Sequence, residues 1–538
     1  MPVCNVQDKD SMSWRENVLT YHRCIKQQRV INVNARYPEI PNGTGLTNSQ
    51  LSNQWKSTNW SAVHETVNNL QSRLARAAKN CNWFKVRKFI RLLTRSHHAK
   101  LLAVKIVTEN KGGKTSGIDG ILWTSSAVKM KAALRLTDKG YKAKPLKRVY
   151  IPKKNGKMRP LSIPTLHDRA MQTLYALAMS PIEASTGDLA SFCFRKFRST
   201  KDAFAYTHIC LSRKRSAEYI LEGDIKSCFD MISHDWLLNN IPIKKSILSQ
   251  FLKTGYFENV RFFPTDRGTP QGGPLSPILA NMVLNGMEFE LGRIFHSQQN
   301  GKINKIQCNK HKVNYVRYAD DFLVTADSED TLLKVKELIS KFLEPRGLSL
   351  SDEKTTIIHI SKGFDFLWWN FRKYNGKLLP KPSKGSQKSI IQKIREVIHQ
   401  GRTWSQDKLI ATLNPVIRGW SLYHKHAVSS DVFSKLNHIA WCMLYAWAKR
   451  RHHNKGKNWI VHKYWHEIGN RKWIFATSKL TLAFFSDTKI ERYRMSCLNK
   501  NPYLDREYFE ERRKRRKYFF PPTRQSTFEQ FLGWHLKR

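Results

Sequence analysis

The chain has 538 residues, of which 41% are hydrophobic and 25% charged, a balance that excludes a wholly disordered protein and supplies material for several cores. Lys and Arg number 93 against 42 Asp and Glu, giving a net charge of +51. That excess is far beyond what solubility requires and points to a polyanionic partner. No apolar stretch approaches the roughly 18 residues of a spanning helix, so no membrane partner is expected. The 16 Trp, 18 Tyr and 27 Phe suit base stacking beside phosphate neutralisation, which favours nucleic acid. Nine cysteines include no C-x-x-C pair, so neither a zinc ribbon nor a redox couple is offered. The thiols are expected to be reduced and the protein intracellular. Residues 1–20 carry Asp8, Asp10 and Glu16 without an apolar run, unlike a secretory signal or transit peptide.

Residues 1–50 read as a polar leader closed by Pro38, Pro41, Gly43 and Gly45. Between 51 and 115, apolar residues at helical spacing (Val63, Val67, Leu70, Leu74; then Phe84, Phe89, Ile90, Leu93) predict two or three basic amphipathic helices. From 116 to 380 the pattern alternates. Arg148–Ile151 and Arg159–Ile163 read as a hairpin turned at Asn155-Gly156, and Asp168–Met179 as a helix. Tyr219–Leu221 is a buried strand entering Gly223-Asp224. Asn281–Leu291 reads as one helix, Asn314–Ala326 as two strands around a tight turn, and Leu332–Leu343 as a further helix. Such alternation predicts an α+β sheet with helices on one face. After Pro380 strands are expected to stop, leaving three helices within 381–453, and 454–538 is basic and aromatic.

The sharpest chemical signal is Tyr315-Val-Arg-Tyr-Ala-Asp320-Asp321-Phe-Leu-Val324. Two adjacent carboxylates interrupt an apolar, strand-forming run, where burial and mutual repulsion would drive protonation unless a cation compensates them. Hard oxygen ligands suit Mg²⁺; a solvated turn with Asp-Asp at its tip is the other reading. Asp224, 96 residues earlier, ends a second buried strand, so a shared site requires a fold that lays the two strands side by side. Asp230 reads as a turn or capping residue. Lys153 and Arg159 by themselves read as surface cations. Trp420 and Trp447 read as core, and His424 with His426 lacks a third ligand for a metal.

These segments resemble reverse transcriptases. Together with Thr269-Pro-Gln-Gly-Gly-Pro-Leu-Ser-Pro277, Val149–Pro164, Leu348–Thr355 and Gly363–Leu367, they resemble the reverse transcriptase–maturases encoded within group II introns, over about residues 55–510. The resemblance implies a right-hand polymerase: a basic N-terminal extension (51–115), fingers and palm (116–380), a helical thumb and maturase domain (381–453), and a basic nucleic-acid-binding C-terminal region (454–538). It implies that Asp224 and Asp320 hold two Mg²⁺ ions with the Ile225 carbonyl, Asp321 supporting at the edge. Lys153 and Arg159 would then bind the triphosphate of an incoming deoxynucleotide, Phe229 would exclude a 2′-hydroxyl, Gln271 would lie beside the nascent pair, and Gly363–Leu367 would grip the primer. Arg418–His426 and Trp447–His453 carry the maturase likeness. The implied partners are group II intron RNA, an RNA template, a DNA primer or target and deoxynucleoside triphosphates, in a bacterial cytoplasm or an organelle. The His-Asn-His endonuclease that many relatives carry after a segment like Asn501–Asp505 is expected to be absent. Two alternatives stay open: a catalytically dispensable splicing factor that binds RNA, and a related polymerase recruited to defence or repair.

Overall fold

The computed structural model describes residues 46–519 apart from 153–155, 157 and 259–260. Lys153 and nearly all of the polar leader therefore lie outside the described residues. The architecture is α+β, with the strands concentrated in the middle of the chain. Eight strands build two four-stranded sheets: β1 (Leu146–Pro152), β2 (Met158–Ile163), β3 (Tyr219–Asp224), β4 (Tyr256–Glu258), β5 (Arg261–Phe263), β6 (Asn314–Tyr318), β7 (Asp321–Ala326) and β8 (Thr356–His359).

The first sheet has the order β2-β1-β4-β5 and contains the expected hairpin, with Lys147 opposite Ile163 and Pro152 opposite Met158. The second has the order β6-β7-β3-β8 and is antiparallel throughout. Its centre is nearly continuous apolar sequence because both faces are covered there; the consecutive Ile220 and Leu221, and Phe322, Leu323 and Val324, are all fully buried. Gly223 fits because a Cβ there would lie 2.2 Å from the Phe322 ring, so β3 and β7 can pair only if that position has no side chain.

N-terminal to the sheets, the helices Trp60–Lys79, Trp83–Arg95 and His97–Glu109 realise the predicted basic segment. Asn59, Asn82 and Ser96 accept from first-turn N–H groups and start each helix cleanly. Their apolar stripes join one core with the buried Leu166–Thr186 helix. One expected helix is in fact two. Ser276–Leu284 and Met287–Phe295 are separated at Asn285-Gly286, where Gly286 adopts φ +102° and redirects the chain.

Beyond the sheets, the helices Lys384–Gln400, Gln406–His424 and Ser430–Arg451 enclose a second core of Ile390, Ile394, Leu409, Leu413, Phe433, Leu436 and Trp447. Contrary to the sequence expectation, strands continue past Pro380. Lys381–Pro382 pairs with Trp369–Phe371, and a hairpin of Trp465–Ile468 and Arg471–Phe475 drives Trp465 and Phe475 into the helical core. The burial of those two hairpin strands does not alternate, only Trp465 and the last residues Ile474 and Phe475 being buried, so no period-two signal marks them in the sequence. The helical module is fastened to the sheets by Tyr423, whose ring stacks on buried Trp369 at 4.5 Å and whose hydroxyl donates to the Leu367 carbonyl at 3.0 Å.

The segment after the hairpin turns back across the molecule. Glu491 pairs with Lys425 at 3.0 Å. Tyr493 and Ser496 then donate to the buried Asp202 carboxylate at 3.1 and 3.2 Å, and Asn501 Nδ2 donates to Ser185 at 2.9 Å. Ser72, on the first long helix, donates to the Tyr503 carbonyl at 2.7 Å, and Phe509 stacks on Phe197 at 4.9 Å. This stretch, part of the region expected to bind nucleic acid, packs through its own backbone and side chains against the Trp60–Lys79 helix and against Ser185, Phe197 and Asp202.

Candidate active site

The antiparallel register places Asp224 directly opposite Asp321 across β3 and β7. Tyr318 pairs with Asp321 to close a two-residue turn whose members are Ala319 and Asp320. Ala319 sits at φ +60°, a left-handed conformation that costs a Cβ-bearing residue about 1 kcal/mol and throws Asp320 to the tip beside its neighbours. Carboxylates from two strands 96 residues apart in sequence thus share one sheet end.

Electrostatics there favour a bound cation. Asp320 is raised from the ordinary carboxylate range by burial and by Asp224, opposed by its own backbone N–H and by the charges of Lys354 and Arg159. Asp321 is pushed up to about 7, by desolvation first and then by Asp320 and Asp224. Its side chain still reaches solvent at the edge of the site. Lys354 Nζ lies 2.6 Å from Asp224 Oδ2, and that hydrogen bond holds the lysine above its usual range. Lys354 falls inside the Leu348–Thr355 segment, yet its role was not legible; a lysine after Asp352-Glu353 reads as an ordinary surface cation.

The donor set fits a hard divalent ion: carboxylate oxygens and a backbone carbonyl, with no sulfur. The Ile225–Leu350 bridge uses the Asp224 carbonyl and the Lys226 N–H, so it does not engage the Ile225 carbonyl. Among the described residues, no group of three or more His, Cys, Asp or Glu converges closely enough to hold a metal ion by itself. Further ligands must therefore come from backbone and substrate oxygens, the usual arrangement for Mg²⁺.

Gln271, Phe229 and Asp230 gather around one loop. Gln271 donates through Nε2 to both Asp230 oxygens at 3.0 Å, and its carbonyl accepts from the Ser162 N–H of β2 at 2.8 Å. Gly272 adopts φ +125° with the Ser162 carbonyl 2.9 Å from where a Cβ would stand, so only glycine passes here. Thr269 N–H donates to the Phe229 carbonyl at 2.7 Å, laying the loop over the short Cys228–Met231 helix. Phe229 is half-buried and meets Phe194 edge-on at 6.5 Å. Asp230, expected as a turn or capping residue, lies in the first turn of that helix and also anchors Gln271. Arg159 is half-buried on β2, and its charge reaches Asp320.

Trp447 is 4% exposed and donates to the Gly401 carbonyl, while Trp420 donates to Ser386, so both belong to the core. His424 is buried against Ser386 and Trp369.

A family model described as reverse transcriptase (RNA-dependent DNA polymerase) matches residues 151–371. The N-terminal domain of reverse transcriptase matches 55–136, and the group II intron maturase-specific domain matches 387–465. Group II intron-encoded protein LtrA of Lactococcus lactis subsp. cremoris is 30% identical over 435 residues, covering 65% of this chain and 72% of its own. Protein YkfC of Escherichia coli (strain K12) is 31% identical over 332 residues, covering 56% and 87%. Maturase-like protein 1 of Euglena gracilis is 26% identical over 63% of this chain and 70% of its own. A solved telomerase from Candida albicans, with a fragment of telomeric RNA, covers 58% of this chain and 60% of its own at 13% identity and a TM-score of 0.33, too slight a likeness to argue from. The chain belongs to the family of group II intron-encoded reverse transcriptases that carry a maturase-specific domain. It is an RNA-directed DNA polymerase that also assists intron splicing, and it depends on a divalent cation. No helix among the described residues is long and apolar enough to cross a membrane.

Proposed function

We propose that the Asp224–Asp320–Asp321 cluster is the polymerisation centre and that it uses two Mg²⁺ ions. Asp224, Asp320 and the Ile225 carbonyl would hold them, with Asp321 at the edge. When bound, they lower the pKa of the primer 3′-hydroxyl and offset charge on the leaving pyrophosphate. The single observation carrying this reading is the cross-strand pairing of Asp224 with Asp321 beside a turn that presents Asp320.

The protein's own groups do the rest. Arg159, together with Lys153, binds the triphosphate of a deoxynucleotide by charge-assisted hydrogen bonds. Phe229 fills the space that a ribose 2′-hydroxyl would need. Gln271, pinned between Ser162 and Asp230, braces the nascent base pair. In this reading residues 116–380 are fingers and palm of a right hand, 381–453 the thumb and maturase domain, and 51–115 the N-terminal extension. The region 454–538 adds basic nucleic-acid contacts outside the docked segment. The template is RNA, the primer or target is DNA, and the intron RNA is bound by the helical module, inside a cell or organelle that holds such an intron.

Primer extension on an RNA template with deoxynucleotides and Mg²⁺ tests the centre. Asp224→Ala and Asp320→Ala are expected to abolish synthesis while intron RNA binding persists, because cations rather than carboxylates attract the phosphate backbone. Wild-type extension by Asp320→Ala would remove the assignment.

A further inference from the structure

Beneath the aspartate turn lies a buried cation that none of these roles uses. Arg317, on β6 one residue before Tyr318, has 0% of its surface exposed. Removing a guanidinium from water costs several kcal/mol unless its donors are satisfied, so its partners indicate what it is for.

Strand alternation puts Arg317 on the face away from the carboxylates. It pairs with Phe322, which pairs in turn with Gly223, whereas Asp321 and Asp224 belong to the other face. From the covered side the guanidinium reaches under the turn. Nη1 donates to the Asn281 side-chain oxygen at 3.2 Å and to the Ala319 carbonyl at 3.4 Å, and Nη2 donates to the Asn285 side-chain oxygen at 3.0 Å. The Arg317 backbone is itself fixed, its N–H on the Ala190 carbonyl and its carbonyl on the Phe192 N–H, both at 2.9 Å. The asparagines come from the helix that follows the Gln271 loop and from the residue just past its end.

The contact with Ala319 matters because of what shares its peptide plane. The Ala319 carbonyl and the Asp320 N–H are one rigid amide. Holding the carbonyl therefore sets the tilt of the amide, and the amide sets the direction from which the Asp320 Cα carries its carboxylate. Without a brace, an alanine at φ +60° would have other conformations open to it.

We propose that Arg317 is a positioning residue for polymerisation: its guanidinium fork, braced by Asn281 and Asn285, fixes the Ala319–Asp320 peptide and so the pose in which Asp320 receives a divalent ion. The proposal rests on Asp320 being a metal ligand. Arg317 touches neither substrate nor metal. A lysine would keep the buried charge but cannot span three acceptors with a planar fork. Arg317→Lys thus removes positioning while the nearby buried Asp188 carboxylate keeps a cationic neighbour.

The test compares the wild type, Arg317→Lys, Asn285→Ala and Asp320→Ala, each with bound primer–template. Mn²⁺ affinity is read by electron paramagnetic resonance, and the single-turnover rate is read against Mg²⁺ concentration. The KM for deoxynucleotide, intron RNA affinity and the thermal midpoint are measured alongside. Arg317→Lys and Asn285→Ala are expected to lose about 10–100-fold in Mn²⁺ affinity or rate, the usual effect of removing an outer-shell partner, with RNA affinity and nucleotide KM nearly unchanged. Wild-type Mn²⁺ affinity and rate in both folded variants would overturn the proposal. A rate loss that only tracks the melted fraction, with normal Mn²⁺ affinity in the folded remainder, would overturn it too, leaving Arg317 as packing. Should Arg317→Lys fail to fold, Asn285→Ala decides alone. Normal Mn²⁺ binding and extension by Asp320→Ala would instead sink the underlying site.

Discussion

Gln271 Nε2 lies 3.0 Å from both carboxylate oxygens of Asp230, linking the Thr269–Pro277 segment to the helix that carries Phe229. A charged acceptor makes this bond stronger than a neutral one, and it holds the amide in one orientation. Gln271→Ala and Asp230→Ala are each expected to raise the KM for deoxynucleotide several-fold. The double variant should be scarcely worse than either, a coupling of about 0.5–1.5 kcal/mol for one partly exposed bond. Steady-state extension kinetics on the four proteins measures it, and strict additivity would show that the two side chains act separately.

Phe229 has a second neighbour relation to test. Its ring is half-buried against Phe194, so part of it packs and part is available to a sugar. Phe229→Val should admit ribonucleotides, raising their incorporation relative to deoxynucleotides on the order of tenfold or more. Single-nucleotide extension with matched rNTP and dNTP gives the ratio. An unchanged ratio in a folded, active variant would return the ring wholly to the core.

The cations at the end of the Ser430–Arg451 helix divide by structure. Lys449, Arg450 and Arg451 are all exposed, but Arg451 donates to the Trp404 carbonyl at 2.6 Å and covers the Trp447 ring at 4.6 Å. Neutralising Lys449 and Arg450 together should weaken intron RNA binding and flatten its salt dependence by about 0.7–0.9 in log–log slope per lost phosphate contact. Arg451→Gln should instead lower the thermal midpoint. Filter binding from low to moderate salt separates the two; an unchanged slope for the Lys449/Arg450 pair would place RNA elsewhere.

Acid should loosen the junction between helices and sheets. Burial lowers His424 from 6.5 to about 3, so the folded protein keeps it neutral where the unfolded chain would protonate it. Its contribution is complete above about pH 6.5 and is lost as pH falls toward 3, at up to ~1.4 kcal/mol per pH unit. His426, lowered to about 4 chiefly by burial, adds loss in the same direction. Thermal midpoints from pH 7 to 4.5 should fall more steeply for the wild type than for His424→Gln. Parallel curves would mean that His424 accepts a proton without leaving its site.

What the sequence disclosed follows from how local each signal is. Asp224, Asp320 and Asp321 stand out because carboxylates at the ends of short, nearly continuous apolar strands are costly. The pairing of Arg148–Ile151 with Arg159–Ile163 was legible because two apolar strand-forming runs flank an Asn-Gly pair in the sequence. Arg317 was invisible by the same logic, since one cation in a basic chain reads as surface until its partners Asn281 and Asn285 are seen. The break at Gly286 was missed because apolar residues continue on both sides of it. The hairpin at Trp465–Phe475 was missed because burial along its strands does not alternate. The docked segment from Glu491 to Phe509 has no periodicity at all, being held by backbone carbonyls and single side chains.

That returning segment also orders events during synthesis. Ser496 stands 294 residues after the Asp202 it satisfies, about 15–60 s of translation at roughly 5–20 residues per second. Ser72 waits longer still, 431 residues, for the carbonyl of Tyr503. Until then Ser199 is the near neighbour that serves Asp202, and the first helices carry an unfilled seam. The growing chain therefore keeps its earliest layer open while the sheets and maturase helices are made, and a chain interrupted after those helices would lack the contacts that Ser72 and Asp202 make with Tyr503 and Ser496.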